Sequence, residues 1–267
     1  MRALGREVWW PTTEQPNPAS AGLDRMEALG AVQTLVAGEE RVVPAVAAEA
    51  AQIATGAERI AEAFRTGHRV FYAGAGTAGR IGVLDASEIP PTFGVDGHWF
   101  RAVIAGGDRA IRSSVENAED GQEQAAADLR AEGIGPGDVI AITANGGTPY
   151  AMGTARLAQA VGATVIAVVN NPGSPLGEVA GIVIRLLVGP EVLLGSSRLS
   201  AGSAQKLVLN ALSTTAMVLV GKVYDNRMVD FRPSNRKLLG RAERVFMWVT
   251  GATRAKARQC QYLAASR

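Results

Sequence analysis

Residues 69–91 read RVFYAGAGTAGRIGVLDASEIPP and hold the groups best placed to do chemistry. Gly74, Gly76 and Gly79 follow a short run rich in β-formers, the pattern of a strand that turns sharply into a helix. A helix beginning at Ile81, Val83 and Leu84 points its unpaired N–H groups, and the positive end of its dipole, at that glycine loop. The loop is therefore an anion cradle. Pro90 and Pro91 stop the helix and leave Glu88 near its C-terminal end, where a carboxylate meets the negative end of the dipole. An anion site and an acid thus belong to one helix. GAGTAG also satisfies the dinucleotide pattern G-x-G-x-x-G. Such a site wants an acidic residue about 20 positions on, and the nearest candidate, Asp108, comes later.

A second acidic group, VENAED, holds Glu116, Glu119 and Asp120. Like charges close together push a carboxyl toward its neutral form, as an acid catalyst near neutral pH requires. Read by itself, the segment is a solvated turn, with Asp120 capping a helix and Glu123 completing a capping box.

Strands and helices must position these groups. Apolar, β-rich runs recur at residues 101–105, 139–144, 164–169 and 181–188, separated by helical patterns or turns. Continuous apolar strands alternating with helices predict an α/β fold, a three-layer sandwich whose parallel sheet is covered on both faces. Ligands of such sheets sit beyond the C-terminal strand ends, where the loops read GAGTAGR, AGGDR, TANGGTPY and NNPGSPL. Thr148 and Ser174 precede Pro149 and Pro175, the order of an N-cap followed by a first-turn proline. Several such loops at one sheet edge predict a polar pocket.

Upstream, residues 23–64 are helical in pattern, with Val42, Val46, Ile53, Ile60 and Phe64 on one apolar stripe. Residues 1–20 read as an arm anchored by Trp9 and Trp10, or as a frayed terminus. Downstream, a largely apolar helix over residues 201–223 lacks a clean polar face, which predicts burial within the chain or against a second subunit. One or two helices follow from Asn235. The expected division is an arm and helix over 1–40, the α/β domain over 41–225 and a short helical segment over 226–267.

The chain of 267 residues is ample for a two-sided core. Its formal charge of +2 is spread along the chain, so no basic stripe argues for nucleic acid. Cys260 is the only cysteine, which excludes an internal disulfide and a cysteine-built zinc site. His68 and His98 are too few for a histidine-rich metal centre, and neither a metal nor another cofactor is expected. No apolar run reaches the roughly 18 residues of a membrane span, and the N-terminus lacks the apolar core of a signal peptide. A soluble, cytoplasmic protein without a membrane partner is the expectation.

GAGTAGRIGVLDASEIPPTFG, AGGDRAIRSSVENAEDG, VGPEVLLGSSRLSAGSAQKLVLN and TEQPNPAS together resemble the N-acetylmuramic acid 6-phosphate etherases, lyases of the sugar-isomerase (SIS) fold in peptidoglycan recycling. The similarity runs over about residues 12–250 and displaces the dinucleotide reading. It implies cleavage of the lactyl ether at C3 of an open-chain sugar phosphate, yielding N-acetylglucosamine 6-phosphate and lactate. A base removes the C2 proton, an acid helps lactate leave, and water adds to the unsaturated aldehyde. The resemblance implies that the two carboxyls are Glu88 and Glu119. It implies substrate binding by Gly76, Thr77, Ala78, Gly79 and Arg80 of the first loop, by Asn145, Gly146, Gly147 and Thr148 of the third, and by Ser197 and Ser200. A homodimer with pockets near the subunit boundary is implied as well.

Four departures accompany the match. Ala78 stands where the family has serine, Asn145 and Gly147 flank Gly146 where it has Ser-Gly-Arg, and Ser200 stands where it has lysine. Removing a cation that pairs with a buried anion costs several kcal/mol, because the anion is left unpaired. The expectation is a retained elimination chemistry on an altered substrate with less negative charge. Its competitor is an ordinary etherase in which Thr77, Asn145, Thr148 and backbone N–H groups hold phosphate. An epimerase or isomerase using the same carboxyls, and a non-catalytic sugar-phosphate-binding regulator, are the alternatives. The family's C-terminal helical extension is shortened in this chain.

Overall fold

The structure, a computed structural model, describes residues 11–231, 233 and 235–265, so Trp9 and Trp10 lie outside the described residues. Three helices, α1 (Ala28–Glu39), α2 (Val42–Ala48) and α3 (Ala50–Arg65), lead into strand β1 (Val70–Gly74). Then follow α4 (Gly76–Phe93), β2 (Phe100–Ile104), α5 (Gly107–Arg112), α6 (Gln122–Ala131), β3 (Val139–Ala144) and α7 (Pro149–Ala160). The sheet is completed by β4 (Thr164–Val169), α8 (Pro175–Val179) and β5 (Ile182–Arg185), after which α9 (Ser200–Leu219) packs back across it. A short hairpin of β6 (Val223–Tyr224) and β7 (Arg227–Met228) precedes α10 (Arg236–Thr250) and α11 (Arg254–Ala265).

The five strands β1 to β5 pair in parallel in the order β2-β1-β3-β4-β5. Successive side chains on a strand point to opposite faces, so each apolar strand feeds two cores. Val70 and Tyr72 enter one with Ile60, Val208 and Leu212, and Phe71 and Ala73 enter the other with Leu129, Tyr150 and Leu176. The sandwich expected from uninterrupted apolar runs is the one observed.

The order reverses at β1, whose neighbours are β2 and β3. At such a switch point the loops diverge and leave a crevice beyond the strand ends. Both glycine-bearing loops of interest, after β1 and after β3, open there.

Two boundaries of α4 differ from expectation. The helix starts at Gly76, with extended Ala75 as its N-cap, so the glycine loop is itself the first turn. A side-chain carbon on Gly79 would lie 2.5 Å from Ile104 Cγ1 and 2.7 Å from Gly74 O. Only glycine lets this turn press onto the strand end. At the other end the helix runs through Pro90 and Pro91 to Phe93. The prolines remove two N–H donors, but they fall where the helix is closing anyway. Gly94, left-handed at φ 67°, donates its N–H to Pro90 O at 3.0 Å, a glycine C-cap.

Helix α9 ends at Leu219, short of the expected residue 223, and Gly221 at φ 81° turns the chain. Its apolar surface is mostly internal, since Val208, Leu209, Leu212, Ala216 and Met217 are buried. One polar cluster sits among them. Asp85 of α4 is buried and accepts from Tyr72 Oη (2.8 Å), Asn210 Nδ2 (2.6 Å) and Ser213 Oγ (3.3 Å). Burial, followed by the Asp85 charge, pushes the Tyr72 hydroxyl far above its ordinary pKa, so it stays a donor. The cluster fixes α4 between β1 and α9. Among the described residues no helix is long and apolar enough to cross a membrane.

Candidate functional site

The first cavity, of about 180 Å³, opens beyond β1 and β2. Gly76 and Arg80 of α4 form one wall, and Val115, Glu116 and Glu119 form the other. Arg80 builds that second wall. Its Nε donates to Ala110 O (2.9 Å) and its Nη2 to Ser113 O (3.3 Å), holding the segment after α5 against the start of α4. Asn117, left-handed at φ 60°, then begins the 3₁₀ turn Ala118–Asp120 that carries Glu119 into the cavity lining. Neither Asp120 nor Glu123 caps α6, whose N-cap is Gly121. The capping-box account of this acidic segment therefore fails, because the 3₁₀ turn occupies the residues that a box would use.

Glu88 is exposed on α4 and is not among the residues lining the Glu119 cavity. It stands eight residues beyond Arg80, about 12 Å along the helix axis. With α4 ending at Phe93, Glu88 lies before the last turn, outside the reach of the dipole's terminal charge. A carboxyl acting as an acid near neutral pH also needs burial, which favours its neutral form. A single chain does not supply it, and leaves Glu119 exposed as well.

The second cavity, of about 320 Å³, opens beyond β3 and β4 and is lined by Asn145, Gly146, Gly147 and Thr148. Thr148 and Ser174 are the N-caps of α7 and α8, with proline next in each, as the sequence order indicated. Neither hydroxyl caps its own helix. Ser174 Oγ instead donates to Gly146 O, which also accepts from Leu176 N at 3.2 Å. The first-turn N–H groups of α7 stay uncapped by side chains and, with the helix dipole, favour an anion there. Tyr150, in that turn, donates to Asp128 Oδ2 at 2.9 Å and anchors α7 to α6. Burial and that carboxylate hold its hydroxyl far above the ordinary range.

Sequence reasoning passed over part of this wall. Thr13 is fully buried, and Asn171 is 2% exposed. Asn171 Oδ1 accepts from Thr13 N (3.3 Å), while its Nδ2 donates to Thr13 Oγ1 (3.3 Å) and to Asn145 O (2.5 Å). One amide thus joins the N-terminal arm to the third loop, and Thr13 and Glu14 line the cavity. The available signal was the quoted motif TEQPNPAS, whose placement no local pattern reveals.

The remaining expected residues face elsewhere. Thr77 Cγ2 lies close to Gly202 of α9, as does Ser197 O, and neither Thr77 nor Ser197 lines the two cavities described. Ala78 offers its carbonyl to Thr143 Oγ1 at 3.2 Å. Ser200 is buried, its hydroxyl engaged with Gly38 O and Glu39 Oε1, both at 3.2 Å. Its backbone N–H, and that of Ala201, bind the buried carboxylate of Glu191 at 3.1 and 2.9 Å.

The chain is 51% identical over 249 residues to the N-acetylmuramic acid 6-phosphate etherase of Histophilus somni (strain 129Pt), covering 92% of this chain and 82% of that one. The chain belongs to the N-acetylmuramic acid 6-phosphate etherase family. The etherase of Glaesserella parasuis serovar 5 (strain SH0165) is 47% identical over 95% of this chain and 83% of its own. Residues 52–159 match the family model of the glucokinase regulatory protein N-terminal SIS domain, and residues 115–215 match that of the SIS domain. A phosphoheptose isomerase from Francisella tularensis superposes with a TM-score of 0.56 at 17% identity, over 72% of this chain and all of its own (100%). The SIS fold expected of an etherase is thus present.

Proposed function

We propose that the chain is a carbon–oxygen lyase that cleaves the lactyl ether of N-acetylmuramic acid 6-phosphate, the reaction its relatives are named for. The observation that carries this reading is the retention of both carboxyls, Glu88 and Glu119, together with a pocket at the N-cap of α7, lined by Asn145, Gly146, Gly147 and Thr148. In this scheme one carboxylate takes the C2 proton while the other, protonated, gives a proton to the departing lactate oxygen. Water then adds to the unsaturated aldehyde. Arg80 lines the Glu119 cavity, as its expected place in substrate binding requires. It holds the Glu119 segment in place through Ala110 and Ser113.

Among the described residues Glu88 does not line the Glu119 cavity, so the reading calls on a second copy. Leu84, one turn before Glu88 on the same face of α4, is 49% exposed, and Leu207 of α9 is exposed as well. A homodimer that covers this face removes Glu88 from water and brings it to the partner's Glu119 cavity. A carboxyl taken out of water favours its neutral form, the form that can give a proton to the leaving oxygen. Such an enzyme acts in the cytoplasm, where muropeptide sugars are recycled.

A second reading, an altered substrate with less negative charge, is favoured by one observation: among the described residues the α7 cavity is lined by no lysine or arginine and by one acid, Glu14. Against it, Ser200 turns away from both cavities, so its departure from lysine does not by itself change either. Lactate release from N-acetylmuramic acid, with and without the 6-phosphate, decides between them. The first reading expects turnover of the phosphorylated sugar alone, abolished by Glu88→Gln or Glu119→Gln with the fold intact, since both residues are exposed. Absence of turnover of the phosphorylated sugar sinks it.

A further inference from the structure

The α7 cavity has a wall that its anion-binding role leaves unexplained. Thr12–Glu14 form a single 3₁₀ turn laid across the ends of the strands. It is held at three points: by the Asn171 amide on Thr13, by Thr13 O accepting from Gly195 N (3.1 Å), and by the burial of Thr13. Such pinning gives the next residue a defined place. Glu14 lies half-buried in the cavity wall, and its carboxylate stands over Gly195, where a side-chain carbon would come within 2.8 Å of Glu14 Oε2. Gly195, left-handed at φ 75°, leaves room for it.

An acidic residue in the wall of a cavity that also holds the N-cap of α7 is out of place if that cavity takes only an anion, since like charges repel. It fits a ligand with two ends, an anion at the helix and hydrogen-bond donors further along. Ionised, Glu14 offers only acceptors, and a sugar offers hydroxyl and amide N–H donors. We propose that Glu14, positioned by the tie between Asn171 and Thr13, is a substrate-binding residue that accepts hydrogen bonds from the hydroxyl or amide groups of the sugar. The inference rests on the etherase reading for the identity of the sugar. Glu14 acts on binding and orientation, and no proton transfer is assigned to it.

Calorimetry on the full chain with two probes, N-acetylglucosamine 6-phosphate and inorganic phosphate, tests this. Losing a hydrogen bond to a charged group weakens binding by roughly tenfold to a hundredfold. Glu14→Gln and Glu14→Ala are expected to weaken the sugar phosphate by that factor and to leave inorganic phosphate unchanged or tighter. Asn171→Asp keeps the acceptor for Thr13 N but removes both donors. It is expected to weaken the sugar phosphate in the same selective way. Equal affinity of wild type and both Glu14 variants for the sugar phosphate overturns the assignment, as does parallel loss of both probes. If the wild type releases lactate but the Glu14 variants bind normally, only the Glu14 assignment falls. If the wild type binds neither probe, the assignment and the phosphate pocket fall together. If it binds the sugar phosphate through Glu14 yet releases no lactate, only the etherase reading falls.

Discussion

Glu191 shows how one residue ties stability to pH. Its carboxylate is fully buried and accepts the first N–H groups of α9 from Ala201 and Ser200. Burial raises its pKa above the ordinary 4.5, with Glu39 adding to the rise, and outweighs the lowering by the two N–H bonds. The folded chain therefore binds a proton more tightly than the unfolded chain does. Stability from this group is complete below about pH 4.5, the unfolded value, and is lost as pH climbs through the raised folded value. Urea midpoints followed from acid toward neutral pH should fall more steeply for the wild type than for Glu191→Gln, which cannot titrate. Parallel curves would contradict the account. Nothing in the sequence marked Glu191, because its partners are backbone groups of a helix start nine residues away.

Helix α4 is the element whose ends were hardest to read. The strands were legible as apolar runs, within one residue for β2 and at both ends for β3 and β4, whereas the run over 181–188 overshoots β5, which ends at Arg185 where its pairing with β4 stops. The start of α4 was not, because glycine is a poor helix former and the contact between Gly79 and Gly74 that favours it is tertiary. The same applies to the two prolines, which usually stop a helix but here sit inside its closing turn. Its cap supplies a prediction. Gly94 and Gly67 are both left-handed, at φ 67° and 82°, but a side-chain carbon on Gly94 would lie 1.8 Å from Asp230 O, whereas nothing lies within 4 Å at Gly67. Gly67→Ala should cost only the left-handed strain, about 1 kcal/mol. Gly94→Ala should cost roughly 3 kcal/mol or more, since the crossing chain at Asp230 must move. Thermal unfolding of the two variants compares them directly, and equal losses would show that the crossing gives way freely.

At the scale of the whole molecule the open question is how the two carboxyls meet. The motifs around Glu88 and Glu119 were plain in the sequence, yet their placement on an exposed helix face and beside a separate cavity was not. Geometry between copies leaves no trace in a single chain's periodicity. If Glu88 of one copy completes the Glu119 cavity of the other, mixing Glu88→Gln with Glu119→Gln protein under exchange conditions restores activity. Random pairing of the two inactive chains makes half the dimers mixed, each with one intact site, so about a quarter of wild-type lactate release is expected. No recovery would place both carboxyls of each site in one chain, or outside a shared site altogether.

The tie between Thr13 and Asn171 spans 158 positions of the chain. During synthesis the arm emerges before β4 and waits for it, so the α7 cavity gains its last wall only after most of the sheet exists. Closing so long a loop from the unfolded chain costs about 4–5 kcal/mol of entropy, more than one amide returns. Docking is therefore a late event that the finished sheet makes cheap, and the arm forms a latch whose opening need not disturb the scaffold beneath. The cavity is in that sense a join between earlier and later parts of each nascent molecule.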